Sequence, residues 1–407
     1  MTMKKIGWLL LMTGLFSVVF LMAIFPEAAL HSAIRGLAIW WDVLFPSLFP
    51  FFVISEVLLG FGVVHLIGTL LDPLMKPLFR IPGSGGFVAA MGYVSGYPIG
   101  AKLTAKLWDQ KMVTRDEGER LVAFTTSSDP IFLIGAVSIG FFHNPRIGLI
   151  LALAHYGGGF IVGLLMRFHG RKNSSSSSPS NELIKGSRIK AALHNMHKAR
   201  EADGRDLGSL LMNAVQSSLQ LIIVVGGLVV FFSVFLELWT RAGAIPVLSQ
   251  VVNSLLSLVG VPEQLSTALV GGLFEVTLGA RYAGEAGDTI PLAYKAAVAA
   301  FILSWGGLSV HAQIASILNE TPLRYIPFMI ARITHGVIAL VAVLVLWKPI
   351  MGETTPTLSL PDVSYLSQNG YSHIMLVFCT MLGILIILAL FIEAFMLLRR
   401  KFRKFPR

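Results

Sequence analysis

Long apolar runs separated by short polar clusters organise this chain. Eight runs reach the roughly 20 residues a helix needs to cross a hydrocarbon core: about 6–25, 43–63, 118–142, 147–168, 210–237, 296–317, 325–347 and 373–398. Two further apolar stretches, about 85–108 and 264–285, carry glycines through their middles. Such interruptions free backbone groups that lipid cannot satisfy, so these stretches belong inside protein or beside a watery cavity. They read as re-entrant hairpins. The pattern predicts an all-α polytopic membrane protein of about eight transmembrane helices plus two re-entrant hairpins.

Composition agrees. Of 407 residues, 55% are apolar and only 13% are Asp, Glu, Lys or Arg, about half the charged fraction of an ordinary soluble domain. Charge then orients the layout. With both termini in the cytoplasm, Arg35, Arg146, Arg241, Arg281, Lys295 and Lys348 face outward and Arg332 lies within a span. The other 25 of the 32 basic residues face the cytoplasm, as the positive-inside rule requires. The basic tail from Arg399 to Arg407 abuts an apolar run, which is a membrane flank and no sign of nucleic-acid binding. The single cysteine, Cys379, builds no disulfide framework or thiol pair within one chain. The sequence predicts no metal centre, no cofactor and no catalytic residues.

A polar segment, 169–206, divides the chain. It holds the run Ser174–Ser178 and a basic stretch, and reads as a solvated linker, with a surface helix at Leu183–Ala199 as the alternative. The halves on either side resemble each other. Gly92, Gly100, Ala101 and Lys102 align with Gly271, Gly279, Ala280 and Arg281; Phe124 and Ser127 align with Phe301 and Ser304. Each half runs long span, amphipathic stretch, broken hairpin, polar-centred span, plain span, and the charge layout gives the two opposite orientations. The expected units are an N-terminal span and interfacial segment (1–42), a first repeat (43–168), the linker (169–206), a second repeat (207–347), and an outer loop, last span and basic tail (348–407). Inverted repeats with paired broken segments are secondary-transporter architecture, with the site near the midplane.

Polar residues inside apolar spans mark that site. The first cluster is Thr125, Thr126, Ser127, Ser128 and Asp129, followed by Pro130. Proline disfavours helix at the residue before it, so the span is expected to break there. The next half-helix would then point free N–H groups at an anion; a merely kinked helix with back-bonded serines is the competing reading. The second cluster holds Ser304, Trp305, His311 and Gln313 around Gly306 and Gly307. His311 is either a ligand or a packed, hydrogen-bonded core residue. The hairpin tips add Tyr97 and Thr277, with Glu275 as an intramembrane acid. Asp129 and Glu275 are the candidates for proton or sodium coupling; pairing of Glu275 with Arg281 or Arg332 is the alternative. Trp40, Trp41 and Trp239 suit interfacial belts.

The stretches GYPIGAK (96–102), TTSSDPIFLIGAV (125–137), LFEVTLGARYA (273–283) and SWGGLSVHAQ (304–313) resemble the sporulation integral membrane protein YlbJ family of spore-forming bacteria. That family carries the nucleoside-recognition, or Gate, domain of concentrative nucleoside transporter-like proteins. Asp129 departs from the small or neutral residue expected there. The resemblance implies that dipicolinate, a planar aromatic dicarboxylate, moves across the outer forespore membrane. It implies as partners a small anionic solute, the bilayer and, as in related transport folds, further copies of the chain. A nucleoside-like solute, or a recognition and assembly role without transport, are the alternatives.

Overall fold

A computed structural model of the chain describes residues 3–170, 188–259 and 262–352. Among them every regular element is helical. The first half runs α1 (Met3–Ile24), α2 (Pro26–Ala38), α3 (Phe45–Gly60), α4 (Val63–Leu74), α5 (Ser84–Ser95), α6 (Ile99–Asp109), α7 (Arg115–Thr125) and α8 (Pro145–Met166). After α9 (Arg188–Asp203), the second half runs α10 (Leu207–Arg241), α11 (Ala244–Val259), α12 (Ser266–Phe274), α13 (Val276–Gly284), α14 (Leu292–Trp305), α15 (Gly307–Asn319) and α16 (Tyr325–Met351). The element order repeats: long helix, amphipathic helix, helical hairpin, broken helix, long helix.

Five helical stretches among the described residues are long and apolar enough to span a bilayer: Pro26–Gly60, Pro145–Met166, Leu207–Arg241, Leu292–Asn319 and Tyr325–Met351. Three of the expected eight are not among these five. The run 118–142 is two pieces, α7 and a π-helical stretch Phe132–Phe141, because the chain is non-helical at 126–129. The first run falls on α1, of which Met12–Ile24 is an apolar stretch. The run 373–398 lies outside the described residues. The second long helix also starts at Pro26 rather than near 43: proline at the first helical turn needs no N–H partner, and a π-helical turn, Ile39–Leu44, joins α2 to α3.

Each hairpin packs through glycine. A Cβ on Gly92 would stand 2.2 Å from the Thr125 carbonyl, and one on Gly100 2.6 Å from Thr125 Oγ1. In the second hairpin, a Cβ on Gly279 would stand 2.3 Å from Gly272 Cα, and one on Gly272 2.5 Å from Ile302. Thr125 and Ile302 are 177 positions apart, the interval between Ser127 and Ser304. Each hairpin thus wedges against the same place on the broken helix of its own half.

Long-range contacts close the bundle. Ser32 on α2 and Ser233 on α10 hydrogen-bond to each other. Trp40 donates Nε1–H to the Ile222 carbonyl at 2.8 Å and lies where a Cβ on Gly226 would stand. It therefore ties the π-helical turn to α10. The linker is also more ordered than a solvated segment from 188 onward: Ala192 is buried, and Asn195 donates to Thr69 on α4 at 2.9 Å. The surface-helix alternative fits this part.

Candidate functional site

The broken spans place polar groups at the centre of the bundle. After α7 the chain is non-helical from Thr126 to Asp129, then resumes at Pro130. In the second half the break falls at two glycines of positive φ, Gly306 (88°) between α14 and α15 and Gly307 (75°) at the start of α15. The hairpin tips meet these breaks. Gly96, at φ 70°, presses its backbone against Asp129, with a Cβ there standing 3.0 Å from Oδ2. Gly307 does the same against the backbone of Glu275.

A cavity of about 90 Å³ lies where tips and breaks converge. Its polar lining comes from Ser95 and Tyr97 of the first hairpin tip, Ser128 and Asp129 of the first break, Glu275 and Thr277 of the second tip, and Ser309 and Gln313 of α15; α3 and α10 supply apolar walls. Among the described residues, no Lys, Arg or His lines it. The buried Ser95 hydroxyl has no hydrogen-bond partner among the described residues.

The structure brings together only some of the expected residues. Tyr97, Ser128, Asp129, Glu275, Thr277 and Gln313 face the cavity. Thr125 and Thr126 instead donate to the Leu121 and Val122 carbonyls at 2.7 and 2.8 Å, the back-bonded arrangement. Ser127 and Ser304 are both held by His155. Trp305 donates to the Leu273 carbonyl at 3.2 Å and lies 3.9 Å, ring to ring, from His311. His311 bonds the Tyr325 hydroxyl at 2.6 Å and the Trp305 carbonyl at 3.1 Å, and is a packed core histidine in this structure.

The expected anion site at the half-helix N-terminus is filled from within. Asp129 Oδ1 accepts from the Ile131 and Phe132 amides at 3.0 and 2.8 Å. Glu275 caps α13 in the same way, accepting from Leu278 N–H at 2.9 Å and from Thr277 Oγ1 at 3.2 Å. Each acid satisfies orphan amides that an anion would otherwise take. Neither cation expected beside Glu275 reaches it: Arg281 pairs with Glu285 at 2.7 Å, and Arg332 binds backbone carbonyls.

Nothing in the sequence singles out His155, because a lone histidine in a plain apolar span announces nothing. Its partners lie 28 and 149 residues away. A second polar group joins the ends of α7, α8 and α16. Arg324 donates to Glu119 from its amide, Nε and Nη2 at 2.8–3.0 Å, and His169 Nε2 bonds Glu119 as well. Asp116, Glu119 and His169 have metal-ligand chemistry, their ligand atoms lying within 4.8 Å of one another. The Arg324 guanidinium already answers those charges, so the cluster is an ionic junction between the halves.

Comparison with known proteins adds to this geometry. The family model described as Gate, nucleoside recognition, matches residues 42–168. The chain is 45% identical over 350 residues to the sporulation integral membrane protein YlbJ of Bacillus subtilis, covering 86% of this chain and 85% of that one. An uncharacterised protein of Alkalihalophilus pseudofirmus is 29% identical over 140 residues, 33% of this chain and 30% of its own length. Among solved structures, CNTnw in an inward-facing substrate-bound state is 14% identical, with a TM-score of 0.44 over 86% of this chain and 85% of that one. A doubly substituted variant of CNTnw in an outward-facing state is 15% identical, with a TM-score of 0.41 over 84% and 83%.

Proposed function

The chain belongs to the sporulation integral membrane protein YlbJ family, and from that premise we propose that it carries a small polar solute across a membrane by alternating access. One observation carries the reading: equivalent parts of the two halves, both hairpin tips and both broken helices, converge on one polar cavity. Broken helices meeting at a buried site are the means by which transporters bind solute away from lipid. In this reading the halves are inverted repeats, the hairpins are re-entrant, both termini are cytoplasmic, and the chain catalyses no bond chemistry.

The proposed solute is dipicolinate, moved across the outer forespore membrane. Two carboxylates and, among the described residues, no base line the cavity, so a dianion would be repelled unless protons or cations bind with it. Asp129 and Glu275 are the proposed coupling groups; each keeps one carboxylate oxygen clear of its cap bonds to backbone amides. Tyr97, Ser128, Thr277 and Gln313 are the proposed solute ligands. The cavity is smaller than the roughly 300 Å³ at which pockets for drug-sized ligands begin, so the proposed cycle includes a wider state.

The same lining favours a second reading. Carboxylates accept hydrogen bonds from sugar hydroxyls, so an uncharged nucleoside needs no compensating ion. Equilibrium binding of labelled dipicolinate and labelled uridine to protein in nanodiscs, at pH 6 and pH 8 and with or without sodium, separates the two. Dipicolinate binding that strengthens at pH 6 or with sodium supports the first reading; uridine binding indifferent to both supports the second. Binding of neither leaves a membrane recognition or assembly factor.

A further inference from the structure

Two side chains behind the cavity each span both breaks. His155 on α8 is fully buried. Its Nε2 lies 2.9 Å from Ser127 Oγ and 3.2 Å from the Ser128 amide, and its Nδ1 lies 2.8 Å from Ser304 Oγ. The Ser128 N–H can only donate, so Nε2 carries no proton and the ring is neutral with its hydrogen on Nδ1. Nε2 therefore accepts from the first break while Nδ1–H donates to the second. Arg332 on α16, also fully buried, does the converse job. Its Nη1 donates to the Thr126 carbonyl and, at 3.4 Å, to the Ser304 carbonyl; its Nη2 donates to the Ala123 carbonyl at 2.6 Å.

These two residues are equivalent in the repeat. Arg332 follows His155 by 177 positions, as Ser304 follows Ser127 and Gly336 follows Gly159. The helices that carry them touch: His335 Nε2 donates to the His155 carbonyl at 2.6 Å, the two imidazoles stack at 4.9 Å, and a Cβ on Gly158 would stand 3.0 Å from the His335 ring.

We propose that His155 and Arg332 are paired clasps, one from each half, that make the two breaks loosen together. His155 gathers hydroxyls and an amide; Arg332 gathers carbonyls. Neither break can shift its backbone without breaking bonds to a side chain that the other break shares. Both are positioning residues, since neither lines the cavity. The use of the device rests on the transporter reading: coupled breaks keep the site from opening to both sides at once. The coupling itself does not depend on that reading.

Amide hydrogen exchange on the full chain in nanodiscs, without solute, tests the coupling directly. Ser304→Ala removes one arm of the His155 clasp in the second half. Exchange should accelerate roughly three- to tenfold, the worth of one hydrogen bond, at 304–307 and equally at 126–129. Ser127→Ala should give the mirror result. Thr125→Val, which removes a bond within α7 and none to either clasp, should change exchange at 126–129 and 304–307 by the same factor. If Ser304→Ala fails to fold, Arg332→Lys, which keeps the charge and loses the fork, is read in the same way. Acceleration confined to the substituted break overturns the proposal. A chain that moves no solute but shows coupled exchange would refute the transporter reading and leave the clasps standing.

Discussion

At the scale of single residues, the two intramembrane acids hold helix ends and set the charge of the cavity at once. Those duties separate by substitution. Asp129→Asn keeps an oxygen that can accept from the Ile131 and Phe132 amides, so its melting temperature should stay close to the parent's. Asp129→Ala loses the cap and should cost about 1 kcal/mol, read by thermal melting in detergent. In a flux assay Asp129→Asn should also flatten the dependence on pH and sodium, because one of the two cavity charges needing compensation is gone. Unchanged pH and sodium dependence would assign coupling to Glu275 alone. Arg324 makes a second test. It satisfies a Glu119 side chain that is itself 0% exposed. Arg324→Gln should therefore lower the melting temperature, because it leaves a buried acceptor short of partners.

At the scale of elements, glycine decides how closely the hairpins approach. Gly279→Ala puts a methyl group into the Gly272 backbone, where nothing flexible can yield, and should cost about 1–3 kcal/mol. Gly157→Ala on α8 meets nothing within 4 Å and should stabilise by about 0.5–1 kcal/mol. A chemical-denaturation series on the two variants checks both signs. These positions also show what the sequence makes legible. The glycines at 92, 100, 271 and 279, Pro130 and the Gly306–Gly307 pair are local signals with local consequences, and the hairpins and breaks fall where they point. The long helix from Pro26 is harder to read, because Pro46 and Pro50 suggest a break, yet Pro46 sits in the first turn of α3 after a π-helical turn and Pro50 lies within α3. His155 was not legible at all. A histidine is meaningful only through its partners, and these come from another helix and the other half. Asp129 was seen as an acid near a helix N-terminus, but whether it faces an anion or caps its own helix depends on a rotamer that sequence does not carry.

At the scale of the whole molecule, two halves of similar order surround one acid-lined cavity, and the central claim is that solute passes through it with compensating charge. Uptake of labelled dipicolinate into proteoliposomes, with uridine as competitor and with imposed proton, sodium or no gradients, tests this most directly. The account expects saturable dipicolinate uptake that a proton or sodium gradient drives and that Ser128→Ala with Glu275→Gln abolishes in folded protein. Absence of dipicolinate uptake under every gradient, from protein shown to be folded, would contradict it.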